Sequence, residues 1–275
     1  MSNIAVLLTC FNRKNKTLAC LTALMNGVIP KDDIMDIYLV DDGCTDGTGE
    51  VVKQKFPQVN IIQGTGNLFW NRGMHLAWKT SANTKDYDFY LWLNDDTTLY
   101  EHAVEDLFSV YHAVGGNDVI VCASLQSPTT KKTSYGGFGK NGLLVDPNGT
   151  NQECMTMHGN CVLIPRSVYQ KVGNLDDCFR HAIGDLDYGH RARKVGVKIF
   201  TTPDYVGTCE RNATPAKWCL KTTPFLKRIK ILHSPLGYAE PIPFFIYEKR
   251  HFGMIIALKH LITIHIRVIF PKLWK

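Results

Sequence analysis

Apolar residues run almost unbroken from Ile4 to Cys10 (IAVLLTC), through the stretch Asp36 to Thr48 (DIYLVDDGCTDGT), and from Tyr90 into YLWLNDDTT, and each run ends abruptly in polar residues. Continuous apolar runs of this length predict strands buried on both faces, as in a parallel sheet covered by helices. After the first run come Phe11, Asn12 and Arg13. A helical spacing through Leu18, Leu21 and Leu24 follows and closes at Asn26-Gly27 ahead of Pro30. That is a βα unit, and it predicts an α/β fold with a mostly parallel central sheet flanked by helices. Any nucleotide-binding or flavodoxin-like half gives the same pattern, so the fold alone does not choose a function.

The strand ends say more. One run stops at Asp41-Asp42, another at Asn94-Asp95-Asp96. In an open α/β sheet the ligand crevice lies outside the carboxyl ends of the strands, so both acidic ends are expected at one cleft. Hard cations such as Mg²⁺ or Mn²⁺ take oxygen ligands and often rest on one or two carboxylates plus phosphate oxygens. A competing reading is structural: Thr98 and Glu101 match a T-x-x-E capping box, and acids before a helix start offset its dipole. Two acidic strand ends weigh against capping as the whole account. Gly64 to Phe69 lacks the third glycine of a dinucleotide fingerprint and lies too far from the first strand, and there is no P-loop. His158 with Cys161 has no second pair at ligand spacing and reads as packing.

Together, the TCFNR strand end, the VDDGCTDGT turn, the segment GNLFWNRGM (66–74) and the NDD end resemble the inverting family-2 glycosyltransferases of the glycosyltransferase-A fold, within them the bacterial rhamnosyltransferase-like branch. The resemblance spans roughly residues 3 to 210. It implies that Thr9 and Asp42 hold the nucleotide base, that Asn12 and Arg13 belong to the same donor site, and that Asn71 and Arg72 line the donor pocket. It also implies that Asp96, with Asp95 beside it, binds the metal (Mn²⁺ or Mg²⁺) and the diphosphate. The stretch HAIGDLDYGHRARKVG (181–196) resembles the segment that carries the general base, here Asp185. One departure stands out: the glutamate common before that aspartate is Gly184. Asp187 shares a face with Asp185 on an extended segment but not on a helix; at a helix start it pairs with Arg191 or Arg193 as a structural acid. Gly159 to Gly173 resembles the stretch before the base, a strand and helix on the acceptor side, with Gly159 and Asn160 near the sugar or in a simple turn.

These residue types suit the chemistry implied. An acceptor hydroxyl attacks the anomeric carbon in line with the departing diphosphate, one carboxylate takes the proton, and general-base help is worth about 10²–10⁴-fold. The donor is then a nucleotide-diphospho-sugar, with UDP- or dTDP-sugars favoured. The acceptor that the resemblance implies is a glycan or lipid-linked glycan of bacterial surface-polysaccharide assembly. Two readings compete. A sugar-phosphate nucleotidyltransferase needs a glycine-rich N-terminal loop, and Thr9 to Arg13 has no glycine. A non-catalytic glycosyltransferase-like binding protein is the other, and intact Asp42, Asp96 and Asp185 argue against it.

Composition refines this picture. The 275 residues suffice for one large core with an extension, read as a catalytic part over 1–212 (nucleotide-sugar half 1–97, acceptor half 98–212) and a basic, mostly helical segment over 213–275. Nine cysteines without a C-x-x-C pair argue against a disulfide framework or zinc ribbon; with no signal-peptide pattern at the start, the expected compartment is cytoplasmic. Ser127 to Asn151 reads as hairpins or a loop beside the site. The net charge of +6 gathers between Lys217 and Lys275, with Arg228 and Arg250 among its members. The aromatics there form no stacking platform, so no nucleic-acid partner is expected. Met254 to Phe270 instead reads as an amphipathic helix carrying Lys259, His260, Thr263 and Arg267 on one arc, suited to an anionic membrane surface on the inner face of the plasma membrane. A helix packed on the catalytic part is the alternative, and Ile262 to Val268 also alternates like a strand.

Overall fold

A computed structural model describes residues 2–212 and 216–273; Met1, residues 213–215 at the expected start of the basic segment, and its last two residues, 274 and 275, lie outside it. The N-terminal run forms β1 (Asn3–Cys10), α1 (Lys14–Asn26), β2 (Ile34–Asp41), α2 (Thr48–Lys55), β3 (Asn60–Gln63), α3 (Phe69–Thr84) and β4 (Phe89–Leu93). Strands β3, β2, β1 and β4 lie side by side in parallel, with Asn3 opposite Ile34 and Cys10 opposite Asp41. The flush register of β1 and β2 brings their polar ends to one edge. Ile4, Val6 and Leu8 feed the core on one face of the sheet; Ala5 and Leu7 feed the other, and all five are fully buried. This is the two-sided burial that the unbroken apolar run predicts.

The second stretch comprises β5 (Thr98–Leu99), α4 (Ala103–Ala113), β6 (Val119–Gln126), β7 (Thr133–Tyr135), β8 (Gly137–Phe138), β9 (Glu153–Cys154), β10 (Thr156–Met157), β11 (Cys161–Pro165), α5 (Arg166–Val172), α6 (Gly184–Lys194) and β12 (Lys198–Thr208). Strand β11 enters antiparallel between β4 and β6, and β12 runs parallel to β6, so the order is β3-β2-β1-β4-β11-β6-β12-β5. The capping box does not form. Thr98 and Leu99 pair as β5 with the end of β12, and the helix starts at Ala103 after His102. The sheet edge claims the backbone of Thr98, which therefore cannot serve as a helix cap. The stretch 127–151 is the hairpin-rich segment expected, with β7 on β6 and a bridge from Phe138 to Leu144.

The C-terminal segment forms α7 (Phe225–Leu232), α8 (Pro241–Phe252) and α9 (Met254–Ile269). The strand-like alternation of Ile262 to Val268 is overruled: Ala257, Ile264 and Val268 are the buried stripe of α9, at helical spacing. Two of the basic residues are internal. Arg228 is buried and donates to the carbonyls of Val268 and Ile269 (2.9 and 3.3 Å), closing the C-terminus of α9 where a cation is favoured. Arg250 points into the molecule and pairs with Asp176 and Asp187.

Candidate active site

A cavity of about 690 Å³ opens at the carboxyl ends of β1, β2 and β4. Thr9 and Cys10 bring the end of β1 to it, and α3 lies so close that a Cβ on Gly73 would come 2.8 Å from the Cβ of Thr9. Asp42 stands at the end of β2. Its carboxylate accepts backbone N–H groups from Gly66 (2.8 Å), Leu68 (2.8 Å) and Phe69 (3.0 Å). A carboxylate has about four acceptor positions, so Asp42 organises the loop into α3 and keeps roughly one position for a ligand N–H.

The NDD end contributes three different side chains. Asn94 accepts from the indole N–H of Trp70 at 2.6 Å. Asp95 is buried, accepts from Arg13 (3.1 Å) and from the Thr17 hydroxyl (3.2 Å), and burial pushes its carboxyl up to about 7 against the pull of Arg13. Asp96 is more open to the cavity, with Arg13 at 2.9 Å and Lys16 at 3.6 Å. The two acids therefore stand at the cavity wall bridged by Arg13.

Asp185 sits in the first turn of α6. Its Oδ2 accepts from the N–H of Gly159 (2.9 Å) and its Oδ1 from that of Leu186 (2.9 Å). Burial raises its carboxyl above the ordinary range, although these backbone donors work the other way. The residue that starts the helix, Ile183, has φ 80°. A β-branched residue in the left-handed region is an outlier costing about 1–3 kcal/mol. It persists because Ile183 is buried in the cluster with Phe179 and Tyr247. Gly184 now has a physical reason: a Cβ there would overlap the carboxamide of Asn71, so no glutamate fits. Asp187, two residues on in the same turn, pairs with Arg191 at 2.8 Å as the helical alternative requires.

Thr9, Arg13, Asp42, Asp95, Asp96 and Asp185 are thus brought to one cavity. Asn71, Arg72 and Asn12 do not line it; their side chains are engaged elsewhere. Asn71 is fully buried and donates to the carbonyls of Asp176 (2.7 Å) and Phe179 (2.8 Å), and Arg72 donates to that of Asp177 (2.7 Å). Both hold the loop before α6, the helix that carries Asp185. Asn12 accepts from the N–H of Thr45 at 2.7 Å and ties the β1 and β2 turns together.

Several wall residues carry no sequence signal. The His181 ring lies between Phe69 and Tyr238, at 6.3 and 5.6 Å between centroids, and burial lowers its pKa to about 4. Tyr238, Phe244 and Tyr247 arrive from the C-terminal segment and close the cavity. Nothing in their local pattern marks them, because only the packing of α8 and of the turn before it brings them there. His158 packs between Tyr135 and Phe138, as the packing reading holds.

A sheet with four parallel strands, a reversed β11 and acidic ends at one cavity is that of the glycosyltransferase-A fold. The sequence model of Glycosyl transferase family 2 matches residues 5–173, and the chain belongs to that family. The low-salt glycan biosynthesis hexosyltransferase Agl10 of Haloferax volcanii is 21% identical over 150 residues, 51% of this chain and 48% of that protein. This chain therefore spans about half the length of the curated relative it matches. Among solved structures, S. aureus TarS superimposes with a TM-score of 0.57 at 13% identity, over 92% of this chain and 44% of that one. TarS 1–349 in complex with UDP gives 0.56 at 14%, over 91% and 72%.

Proposed function

We propose that the protein transfers a hexosyl group, with inversion, from a nucleotide diphosphate to a hydroxyl of a glycan or lipid-linked glycan acceptor. UDP- or dTDP-sugars are the favoured donors, and the rhamnosyltransferase-like branch and bacterial surface-polysaccharide assembly the favoured setting. The observation that carries the reading is the convergence of Asp42, Asp96 and Asp185 on one cavity. Residues 1–97 hold the donor, 98–212 the acceptor side, and Asp185 takes the acceptor proton. Thr9 and the spare acceptor position of Asp42 contact the base.

The donor set at the NDD end fits a hard divalent cation, Mn²⁺ or Mg²⁺, because Asp96 offers carboxylate oxygen at the cavity wall with Asp95 beside it. When bound, such a cation neutralises charge on the departing diphosphate as a Lewis acid. Arg13 adds a fixed positive charge to the same wall. Calorimetric titration with UDP, dTDP and GDP, each with and without Mn²⁺, tests the reading: one nucleotide is expected to bind in a metal-dependent way, and Asp96→Ala to abolish that binding. No binding of any of the three to the wild type overturns it.

The same proposal includes docking on anionic lipid at the inner face of the plasma membrane. No helix among the described residues is long and apolar enough to cross a membrane. On α9, however, Ile255, Leu258, Ile262, Ile266 and Ile269 form one exposed stripe at helical spacing, and Phe225 and Leu226 of α7 are exposed as well. Lys221, Lys227, Lys230, Lys249, Lys259 and Lys272 are exposed in the same segment, each worth about 1 kcal/mol near anionic lipid. The protein is expected to sediment with phosphatidylserine-containing vesicles at low salt, to be released by high salt without detergent, and to ignore phosphatidylcholine vesicles. Equal sedimentation with both lipids would remove the charge argument.

A further inference from the structure

At the end of β1, beside the cavity, Cys10 faces Cys44 in the turn after β2, with Asp41 next to both. The two sulfurs are 3.8 Å apart, and the ligand atoms of Cys10, Cys44 and Asp41 all lie within 4.8 Å of one another. Two sulfurs bound at about 2.3 Å to a tetrahedral ion stand about 3.8 Å apart, so the thiols already hold the separation that zinc imposes. We infer that Cys10, Cys44 and Asp41 form a binding site for a soft divalent cation, Zn²⁺, with water from the adjoining cavity as the fourth ligand.

Three further features support the site. The N–H of Asn12 donates to the Cys44 sulfur at 3.2 Å, the outer-shell contact that stabilises a bound thiolate. The N–H of Cys44 donates to Asp41 Oδ1 at 2.7 Å and fixes the carboxylate against the turn. Cys10 lines the cavity, which gives an ion and its water a path in. Cys122 and Cys154 are both buried, and among the described residues they have no third ligand at this spacing. The two sulfurs and single oxygen also separate this site from the Asp95-Asp96 pair, whose oxygens suit hard cations. Each thiol releases its proton to solvent as the ion binds.

The test uses the full chain, kept reduced with a phosphine reductant, and reads metal alone. Titration with Co²⁺ is expected to saturate at one equivalent, with the visible bands of a tetrahedral site and a sulfur-to-cobalt charge-transfer band, and Zn²⁺ should displace it. Cys44 is half-exposed, and Cys44→Ser is expected to lose the charge-transfer intensity of one sulfur and weaken Zn²⁺ binding by roughly tenfold or more. Zn²⁺ should also protect Cys44 of the wild type from alkylation, a readout that holds even where a variant fails to fold. Absence of tetrahedral bands, an unchanged spectrum in folded Cys44→Ser, or alkylation indifferent to Zn²⁺ overturns the site.

Discussion

Asp185→Asn is expected to lower kcat by about 10²–10⁴-fold, the usual worth of a positioned general base, with nucleotide binding intact. The carboxylate is aimed by two backbone N–H groups, from Gly159 and Leu186, each at 2.9 Å. An asparagine fills the same space but has one acceptor oxygen, so it cannot serve both donors and cannot take a proton. The pH profile carries a second signature. Because burial raises the Asp185 carboxyl, the acid limb of kcat/KM should lie above the ordinary carboxylate range. The sign for stability is the reverse of the usual acid: a raised folded pKa means that the ionised form weighs against the fold above that pKa. Asp185→Asn should therefore melt no lower than wild type near neutral pH. Steady-state kinetics and a thermal scan of one preparation check both halves; a kcat within a few-fold of wild type would remove Asp185 from the base role.

The strands and acidic ends were legible because they depend on nearest-neighbour pattern. Burial on both faces leaves an unbroken run from Ile4 to Cys10, and a carboxylate at a strand end leaves a visible stop. Thr98 misleads because sheet pairing with Thr208, 110 residues away in sequence, overrides a four-residue capping pattern. The side chains of Asn71 and Arg72 are directed by tertiary packing. Their segment does border the cavity, with Phe69 and Trp70 on its wall, but the helix rotates by about 100° per residue and carries the next two side chains onto the loop at 176–179. Gly184 is the converse case. A departure from the family pattern becomes intelligible once Asn71 is seen to fill the space of a side chain. Tyr238 and Tyr247 had no local signature, since only long-range docking of α8 and the turn before it makes them wall residues.

One buried acid takes part in that docking beside the apolar cluster of Phe179, Ile183 and Tyr247 and the Arg180–Glu240 pair, and its loss should have the largest effect on stability. Asp187 is fully buried, and its oxygens accept from Arg191, Arg250 and His251, each at 2.8 Å. Arg250 also reaches Asp176 at 2.7 Å, so one carboxylate ties α6 to α8 and to the loop before α6. Removing one partner of a buried pair costs about 3–5 kcal/mol. Both guanidinium groups keep some contact with solvent, which places Asp187→Ala near the low end, about 3 kcal/mol or roughly 5 °C in Tm for a chain of this size. Burial alone would raise the Asp187 carboxyl, but the hydrogen bonds from His251 and Arg191 outweigh it and hold the pKa below the usual value. A depressed folded pKa stabilises above the unfolded value, about 3.9, and that contribution is lost as pH falls through the folded one. The Tm gap between wild type and Asp187→Ala should accordingly shrink in acid. Asp187→Asn keeps one acceptor and should lose less. Asp185 lies two residues away on the same helix turn, so Asp187→Ala should lower kcat as well as Tm, unlike Asp185→Asn, which lowers kcat alone. An Asp187→Ala protein that melts with wild type across the pH range would show that α8 is held by its apolar contacts without the acid.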